Sequence, residues 1–345
     1  MTSPVAAAPP TLLKVILAYL AVYVIWGSTY LGIIFCLDTI HTVFLMPGVR
    51  FLVAGVILYA WARRRAGRPS LTQWRDAAII GGALLFIANG TVVWAETRVP
   101  SGLTALLIAV VPLCMVILEW LRPGGVRPGR RVVAGIILGL AGLAILTGPE
   151  SLAGGGRVDL LGAGGLLVAC FVWSAGSLYS RYATKPSSPY LAAGMQMISG
   201  GVLHLVTGTI FGEWSKVDVS GISLKSAASL VYLIFFGSIV AFTAYMWLMQ
   251  VSTPARVATY AYVNPLVAVF LGWAFNNESI NQRTFAATAV IVTAVAFIVS
   301  AQASPPSSTI ANRTAEEPTD VSASAIPDRS AAPLADACAT NTECA

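Results

Sequence analysis

A polar pair lies inside the apolar stretch of residues 253–275. Tyr260 and Asn264 are four residues apart, which places a hydroxyl and an amide on one face of a helix. The next residue, Pro265, removes an amide donor and crowds the carbonyl four residues back. Lipid cannot satisfy that carbonyl, whereas a water-filled cavity or a solute can. The pattern favours the wall of a solute site. The alternative is a kinked structural helix whose polar side chains bond neighbouring helices.

A second group of residues places charge at membrane depth. Arg50 lies roughly 11 Å from the outer end of the second apolar span, at ~1.5 Å per residue. A charge there costs ~2.5–3.5 kcal/mol and usually faces an internal cavity. Asn89 and Glu96 are seven residues apart and share a face of the third span, which could meet Arg50. We expect Arg50 to hold a solute carboxylate and Glu96 to exchange protons at the outer mouth. The alternatives are an arginine that clamps carbonyls or reaches the interface, and a solvated Glu96 beside Arg98.

Aromatic side chains follow one face of the first span. Tyr23, Trp26 and Tyr30 are spaced i, i+3 and i+7, so a helix would align them. Trp26 and Tyr30 are therefore candidates for solute contact, although such stripes more often pack in a core.

The sequence contains no residue pattern that is typical of a catalytic site or a metal site. The five cysteines show neither metal-ligand nor disulfide spacing. His41 and His204 lie on different segments, and neither a membrane-depth aspartate pair nor a GxxxxGK[ST] loop is present. We expect no enzyme, metal or cofactor. His204 is interpreted as a hydrogen-bonded structural residue, with proton coupling as the alternative.

The composition is that of a polytopic membrane protein. Hydrophobic residues make up 57% of the 345 residues and charged residues 10%, against ~25% charged in soluble domains. Apolar runs long enough to cross ~30 Å of hydrocarbon predict transmembrane helices. We expect ten of them, over residues 15–37, 43–62, 77–95, 99–118, 132–147, 160–180, 190–211, 226–255, 257–277 and 284–300.

The chain divides into two similar halves. Trp26 aligns with Trp173 at an offset of 147 residues, and Pro112 aligns with Pro265 at an offset of 153. We expect a short cytoplasmic N-terminus (1–12), a first five-helix repeat (13–148), a second five-helix repeat (158–302) and a disordered cytoplasmic tail (303–345). An odd number of helices per half gives an inverted-topology repeat, which many secondary transporters use for alternating access.

The repeat separates residues that the fold requires from residues that it does not. Positions present in both halves, such as Pro112 and Pro265, are interpreted as hinge or kink positions. Positions that differ are the places to look for function. The symmetry-breaking pairs are Arg50 and Gln196, Glu96 and Met249, Leu107 and Tyr260, and Val111 and Asn264.

Several stretches resemble a known family, the EamA-type exporters of the drug/metabolite transporter superfamily. They are YVIWGSTYLG, PGVRFLVAG, ANGTVVWAETRVPSGLTALL, FGSIVAFTAYMWL and STPARVATYAYVNPLVAVFLG. The resemblance covers nearly the whole membrane part. It implies two inverted EamA repeats of five helices each and the export of small metabolites or toxic compounds.

These observations predict a secondary-active exporter in a bacterial cytoplasmic (inner) membrane. Its partners would be a small-molecule solute and the lipid bilayer, and the net charge of +6 reflects loop bias rather than nucleic-acid binding. The solute could be an amino acid, a purine or an amphipathic toxic compound. The sequence leaves open proton coupling, exchange or facilitated export, and a monomer or homodimer. The alternative is a channel or receptor-like protein without active transport.

Both termini are predicted to be cytoplasmic. With that orientation, inner segments hold 13 Lys and Arg residues and outer loops hold 5, and the excess marks the cytoplasmic side. A C-terminal alkaline phosphatase fusion should therefore be inactive, and a C-terminal green fluorescent protein fusion should fluoresce. The opposite pair of results would reverse the topology.

Overall fold

The computed structural model describes residues 10–96, 98, 104, 107–152, 159–276 and 282–301, and these residues are helical, with no β-strand among them. The longer helices of the described residues are α1 Leu12–Leu37, α2 Leu45–Ala66, α3 Leu71–Ala95, α4 Val111–Leu121, α5 Arg130–Leu152, α6 Leu160–Tyr182, α7 Pro189–Ile210, α8 Leu224–Val251, α9 Tyr260–Asn276 and α10 Gln282–Ser300. The predicted all-α membrane fold is confirmed at this level.

Seven of the described helices are long and apolar enough to cross a membrane: α1, α2, α3, α6, α7, α8 and α10. They coincide with predicted spans and differ from them only at the ends. The helix α4 is apolar but shorter, with 11 residues. Ten crossings and their inverted arrangement stay predictions.

Contacts near the helix termini define two ends of the bundle. Tyr19, near the start of α1, bonds Ser252, which directly follows α8. Asp38, directly after α1, forms an ion pair with Lys225 at the start of α8. We call these the N-terminal end and the opposite end. At the opposite end, Glu213 accepts hydrogen bonds from three consecutive amides at the start of α2, which satisfies donors that the helix itself leaves unpaired.

Helices α2 and α7 cross in close contact because glycines line both of them. A Cβ atom on Gly55 would lie 2.9 Å from the Gly194 carbonyl oxygen, and one on Gly201 would lie 3.1 Å from the Gly48 carbonyl oxygen. The two contacts run antiparallel, since the earlier glycine of α2 meets the later glycine of α7. Small residues are what allow membrane helices to approach so closely.

Helices α1, α3 and α8 contain π-helical turns, at Ala21–Ile25, Gly82–Ala88 and Leu233–Val240. Such a turn locally breaks the regular α-helical hydrogen bonding and is frequent at functional sites. Side chains of other helices bond carbonyls in these turns. The His204 ring Nε2 donates to the Leu85 oxygen at 2.7 Å, and the Trp26 indole donates to the Gly237 oxygen at 3.1 Å.

The apolar stretch of residues 253–275 is not one continuous helix. A short helix, Pro254–Val257, begins after Thr253, whose side chain caps it. A turn follows at Ala258 and Thr259, and α9 begins at Tyr260. The Thr259 hydroxyl bonds a carbonyl of the preceding turn at 2.6 Å, and this local bond competes with a regular helix.

The two repeat-related prolines occupy different places in their helices. Pro265 lies inside α9, in its second turn, so the carbonyl that it deprives of an amide is near the helix start. Pro112 is the second residue of α4, where first-turn amides have no helical partner and proline is favoured. The structure therefore places Pro112 at a helix start, and its interpretation as a hinge or kink position stays a prediction.

We predict that Gly55→Ala lowers the melting temperature of the purified protein by several degrees. The added Cβ atom would lie 2.7 Å from the Ile198 amide nitrogen and 2.9 Å from the Gly194 oxygen, both backbone atoms that cannot rotate away. Gly164→Ala in α6 is the matched control, since its Cβ atom would meet nothing within 4 Å and alanine is the better helix former. Equal melting temperatures for the two variants would contradict the close crossing.

Candidate functional site

A cavity of ≈ 140 Å³ lies within the helix bundle. Its lining side chains come from α1, α2, α3, α6, α8 and α9 and from the start of α4. On α1 they extend from Trp26 to Ile33, and on α3 from Leu85 to Val93. Both sets lie in the half of the helix nearer the opposite end. We call this space the central cavity.

Five of the six predicted solute contacts meet at the central cavity. They are Trp26, Arg50, Asn89, Tyr260 and Asn264, which belong to four helices far apart in the sequence. The sixth is Tyr30, whose side chain lies outside the described residues. The cavity therefore brings together what the sequence suggested separately, and the solute-binding roles stay predictions.

Arg50 places a positive charge on the cavity wall. Its side chain is 6% exposed, and its Nε atom donates to the Ser238 hydroxyl at 2.9 Å. The guanidinium carbon lies 4.9 Å from the centre of the Phe51 ring. Within the described part of the chain, no carboxylate lies within ion-pair distance of Arg50. The predicted contact between Arg50 and Glu96 falls outside the described residues, since the Glu96 side chain is not among them.

Asn264 uses its amide protons inside the protein. In the amide orientation that satisfies its hydrogen bonds, the nitrogen donates to the Tyr23 carbonyl at 3.2 Å and to the Tyr260 carbonyl at 3.1 Å. These two bonds occupy both protons and tie α9 to α1. Any contact of Asn264 with a solute therefore falls to its carbonyl oxygen. Asn89 lies on the α3 wall and is half-buried.

Four aromatic rings pack together beside the cavity. Trp26 lies 5.7 Å from Trp173, 5.0 Å from Tyr245 and 5.1 Å from Tyr260, between ring centroids. The Trp173 indole donates to the Tyr245 hydroxyl at 2.9 Å, and Ser177 bonds the same hydroxyl at 2.6 Å. We call these four rings the aromatic cluster. Its edge-to-face pairs suit the ring quadrupoles and fix the ring positions.

Some site residues were not predicted from the sequence. Trp173 lines the cavity, and its repeat equivalence to Trp26 was a signal that could have found it. Ser238 and Tyr245 lie in apolar helices, and nothing in their local pattern points to Arg50 or to the indoles. Cys170 also lines the cavity, with its thiol directed at the Leu107 oxygen at 3.4 Å.

The two predicted gating prolines lie beside the cavity and do not line it. Pro265 directly follows Asn264, and Pro112 is buried directly after the lining residue Val111. Both prolines thus lie at the point where a helix meets the cavity. Their gating role stays a prediction, as does that of Glu96.

Hydrogen bonds join several helices at the N-terminal end of the bundle. The interhelical bonds are Tyr19 to Ser252 at 2.7 Å, Tyr23 to Thr259 at 2.5 Å, Arg181 to the Ser252 oxygen at 2.8 Å and Gln250 to the Ser180 oxygen at 3.2 Å. They connect α1, α6 and α8 with the turn before α9. We call this set the closed end.

Asp76 adds a buried carboxylate at the same end. It accepts hydrogen bonds from Arg75, from the Tyr179 hydroxyl at 3.0 Å and from the Thr184 amide at 2.7 Å, and so links α3 to the segment after α6. Lys185, in that segment, donates to a carbonyl near the end of α6. Burial of the Lys185 ammonium lowers its pKa to about 8.

His204 lies behind the cavity wall. It is fully buried among Phe44, Phe51 and Phe86. Its bond to the Leu85 carbonyl requires a proton on Nε2, while Nδ1 has no partner among the described atoms. This placement agrees with the structural interpretation of His204.

Apolar helices of membrane length around an internal cavity with polar and charged walls define a helical membrane transporter. Comparison with known proteins agrees, since residues 13–148 and 160–300 both match the EamA-like transporter family. The chain belongs to this family, and the resemblance seen in the sequence is confirmed.

Individual relatives support the same assignment. The chain is 36% identical to the inner membrane transporter YedA of Escherichia coli (strain K12), over 81% of this chain and 89% of YedA. It is 25% identical to the transporter YvbV of Bacillus subtilis (strain 168), over 74% of this chain and 81% of YvbV. A solved crystal structure with 19% identity has a TM-score of 0.68 and covers 89% of this chain and 100% of that chain. This likeness concerns the fold alone.

Proposed function

We propose that the protein is a secondary-active exporter that moves a small metabolite or toxic compound out of the cytoplasm by alternating access. The observation that carries the proposal is the central cavity, where Arg50, Asn89 and Asn264 place polar groups inside an otherwise apolar bundle. Polar and ionisable groups at membrane depth are costly and usually mark a solute path. The inner membrane is the proposed location, since YedA is an inner membrane transporter.

Ten crossings in two inverted repeats are part of this proposal. The contact of Gly55 with Gly194 and the contact of Gly201 with Gly48 exchange under the repeat offset of 146 residues. A two-fold axis between the halves produces such reciprocal contacts. Trp26 and its repeat equivalent Trp173 also contact each other, as expected for residues near such an axis.

Alternating access needs a bundle that closes at one end at a time. The hydrogen bonds of the closed end hold the helices together at the N-terminal end, whereas the central cavity lies toward the opposite end. With cytoplasmic termini this is an outward-facing arrangement. Opening the closed end requires the loss of these side-chain hydrogen bonds, each worth ~0.5–1.5 kcal/mol. The π-helical turns and Pro265 are the proposed points of bending.

The solute class and the coupling mode are open at this level. Amino acids, purines and amphipathic toxic compounds all suit a mixed apolar and polar wall. Export could be proton-coupled through Glu96, or it could proceed by exchange. A channel or a receptor-like protein is the alternative function, and it would need no second open state.

We predict saturable counterflow in proteoliposomes. A panel of labelled amino acids, nucleosides and amphipathic cations is tested with and without an imposed pH gradient. Preloading with one unlabelled solute should drive transient uptake of its labelled form. A carrier that has released unlabelled solute outside the liposome can return to the inside carrying labelled solute. A response to the pH gradient would indicate proton coupling. Flux that rises linearly with concentration would indicate a channel, and the absence of flux for the whole panel would contradict the exporter.

Alternation is tested with Cys170, which lines the cavity, in a variant whose other four cysteines are replaced by serine. A membrane-impermeant maleimide should label Cys170 from the face opposite the N-terminus. Tyr23→Phe removes the hydroxyl that bonds Thr259 and should raise labelling from the N-terminal face severalfold. Tyr232→Phe is the matched control, since its hydroxyl bonds Ser28 away from the closed end. Equal labelling of the two variants would contradict the role of the closed end.

A further inference from the structure

The described lining of the central cavity carries charge of one sign only, which is positive. Of the described side chains that line it, Arg50 alone is charged. The structure gives Arg50 one side-chain hydrogen bond, from Nε to Ser238. A guanidinium has five N–H donors, so four remain for another partner. The Phe51 ring covers part of the group but accepts no conventional hydrogen bond.

The surroundings of Arg50 hold its guanidinium in place without neutralising it. Gly237 leaves room for the group, since a Cβ atom there would lie 2.9 Å from Nη2. The Gly237 carbonyl is fixed by the Trp26 indole at 3.1 Å. Ser238, the next residue of the same π-helical turn, holds Nε at 2.9 Å. These residues therefore fix the position of the guanidinium, and its remaining N–H groups stay available to bind a solute.

The proposed repeat indicates that the scaffold does not require this arginine. The equivalent position of the second half is Gln196, which is also buried, in the α7 helix that packs on α2. Both side chains thus occur at matching places of the same crossing. A buried charge without a counter-ion is costly, so its presence on one side only needs a reason outside helix packing.

Much of the remaining wall is apolar, although Asn89 and Asn264 also line it. Val92, Val93, Ile108 and Phe242 line the cavity, and the aromatic cluster adjoins Arg50 through the bond of Trp26 to Gly237. Such walls suit the compact hydrocarbon part of a solute, because burial of apolar surface is favourable.

We propose that the central cavity selects small organic anions, with Arg50 as the counter-ion of a single carboxylate and the apolar walls around the body of the solute. This rests on the proposed function, since it names the solute class of the same site. A planar carboxylate matches the guanidinium fork and forms two parallel charge-assisted hydrogen bonds. A solute with only a positive charge would meet a like charge at the polar wall.

The test measures binding by thermal shift on the purified full-length protein, at constant ionic strength. The probes are butanoate, hexanoate and phenylpropanoate, each compared with its primary amide and its primary amine. A ligand raises the melting temperature in proportion to its occupancy of the folded state. At least one carboxylate should raise it by about 2 °C or more, and the amide and amine of the same body should not. If no carboxylate exceeds its amide, or if the amine gives the larger shift, the inference is wrong.

Two variants assign the effect to Arg50. Arg50→Gln, which copies the second half, should weaken the apparent carboxylate affinity by about tenfold or more. Arg50→Lys should retain part of the affinity, since it keeps the charge and loses the fork. An undiminished carboxylate shift in Arg50→Gln overturns the proposal.

Gly237→Ala keeps the arginine and tests its position. The added Cβ atom would press on Nη2, so carboxylate binding should weaken even though the charge is unchanged. Gly82→Ala in the π-helical turn of α3 is the matched control, since its Cβ atom would make ordinary contact at 3.5 Å with Leu203. These variants keep the test decisive if Arg50→Gln does not fold. Equal carboxylate binding in both glycine variants contradicts the proposed geometry.

The counterflow assay separates this inference from the exporter itself. Saturable counterflow of a neutral or cationic solute at an unchanged rate in Arg50→Gln would leave the exporter standing and reject the anion site. Arg50-dependent carboxylate binding without counterflow of any carboxylate would keep the anion site and reject the exporter.

Discussion

Hydrocarbon offers no hydrogen bonds, and this constraint governs where the chain can depart from a regular helix. The π-helical turns of α3 and α8 both contribute residues to the wall of the central cavity. The break at Ala258 and Thr259 lies at the closed end, where Tyr23 bonds the Thr259 hydroxyl. Where regular helical bonding is interrupted, polar side chains of other helices take part. Irregular backbone and functional residues therefore occur together, because both need a place away from lipid.

Close helix contacts make that interior possible. Glycines on α2 and α7 bring the two backbones together, and Arg50 and Gln196 lie on the same two helices. In the proposed repeat, the glycines that bring these helices together occur in pairs, whereas Arg50, Tyr260 and Asn264 have different counterparts in the other half. A duplicated scaffold can bend at equivalent places in both halves, and a site with one charge can still favour one kind of solute. In the proposed mechanism, the symmetry of the halves permits the movement, and the positions that break the symmetry recognise the solute.

The sequence predicted most of the candidate site, although each member was inferred for a separate reason. Arg50 was suspected because a charge at membrane depth is costly, and Asn264 because valine is its counterpart in the other half. Both line one cavity. The inference for Asn264 was incomplete, since its amide protons bond the Tyr23 and Tyr260 carbonyls. The structure places Pro112 in a first helical turn, a position that the sequence did not predict, because a sequence offset does not reveal where a helix begins.

Hydrophobic length, loop charge and internal similarity are properties of the chain itself, and they determined the membrane class, the helical fold and the family resemblance. No local sequence pattern specifies the contacts between helices that are distant in the chain. Only the tertiary structure placed Ser238 against Arg50, Tyr245 between the two indoles, and Tyr19 and Tyr23 at the closed end. A serine or tyrosine in an apolar helix has many partners within reach when the helix is considered alone. Packing selects one partner, because each buried donor or acceptor must find its bond in the position that its neighbours leave open.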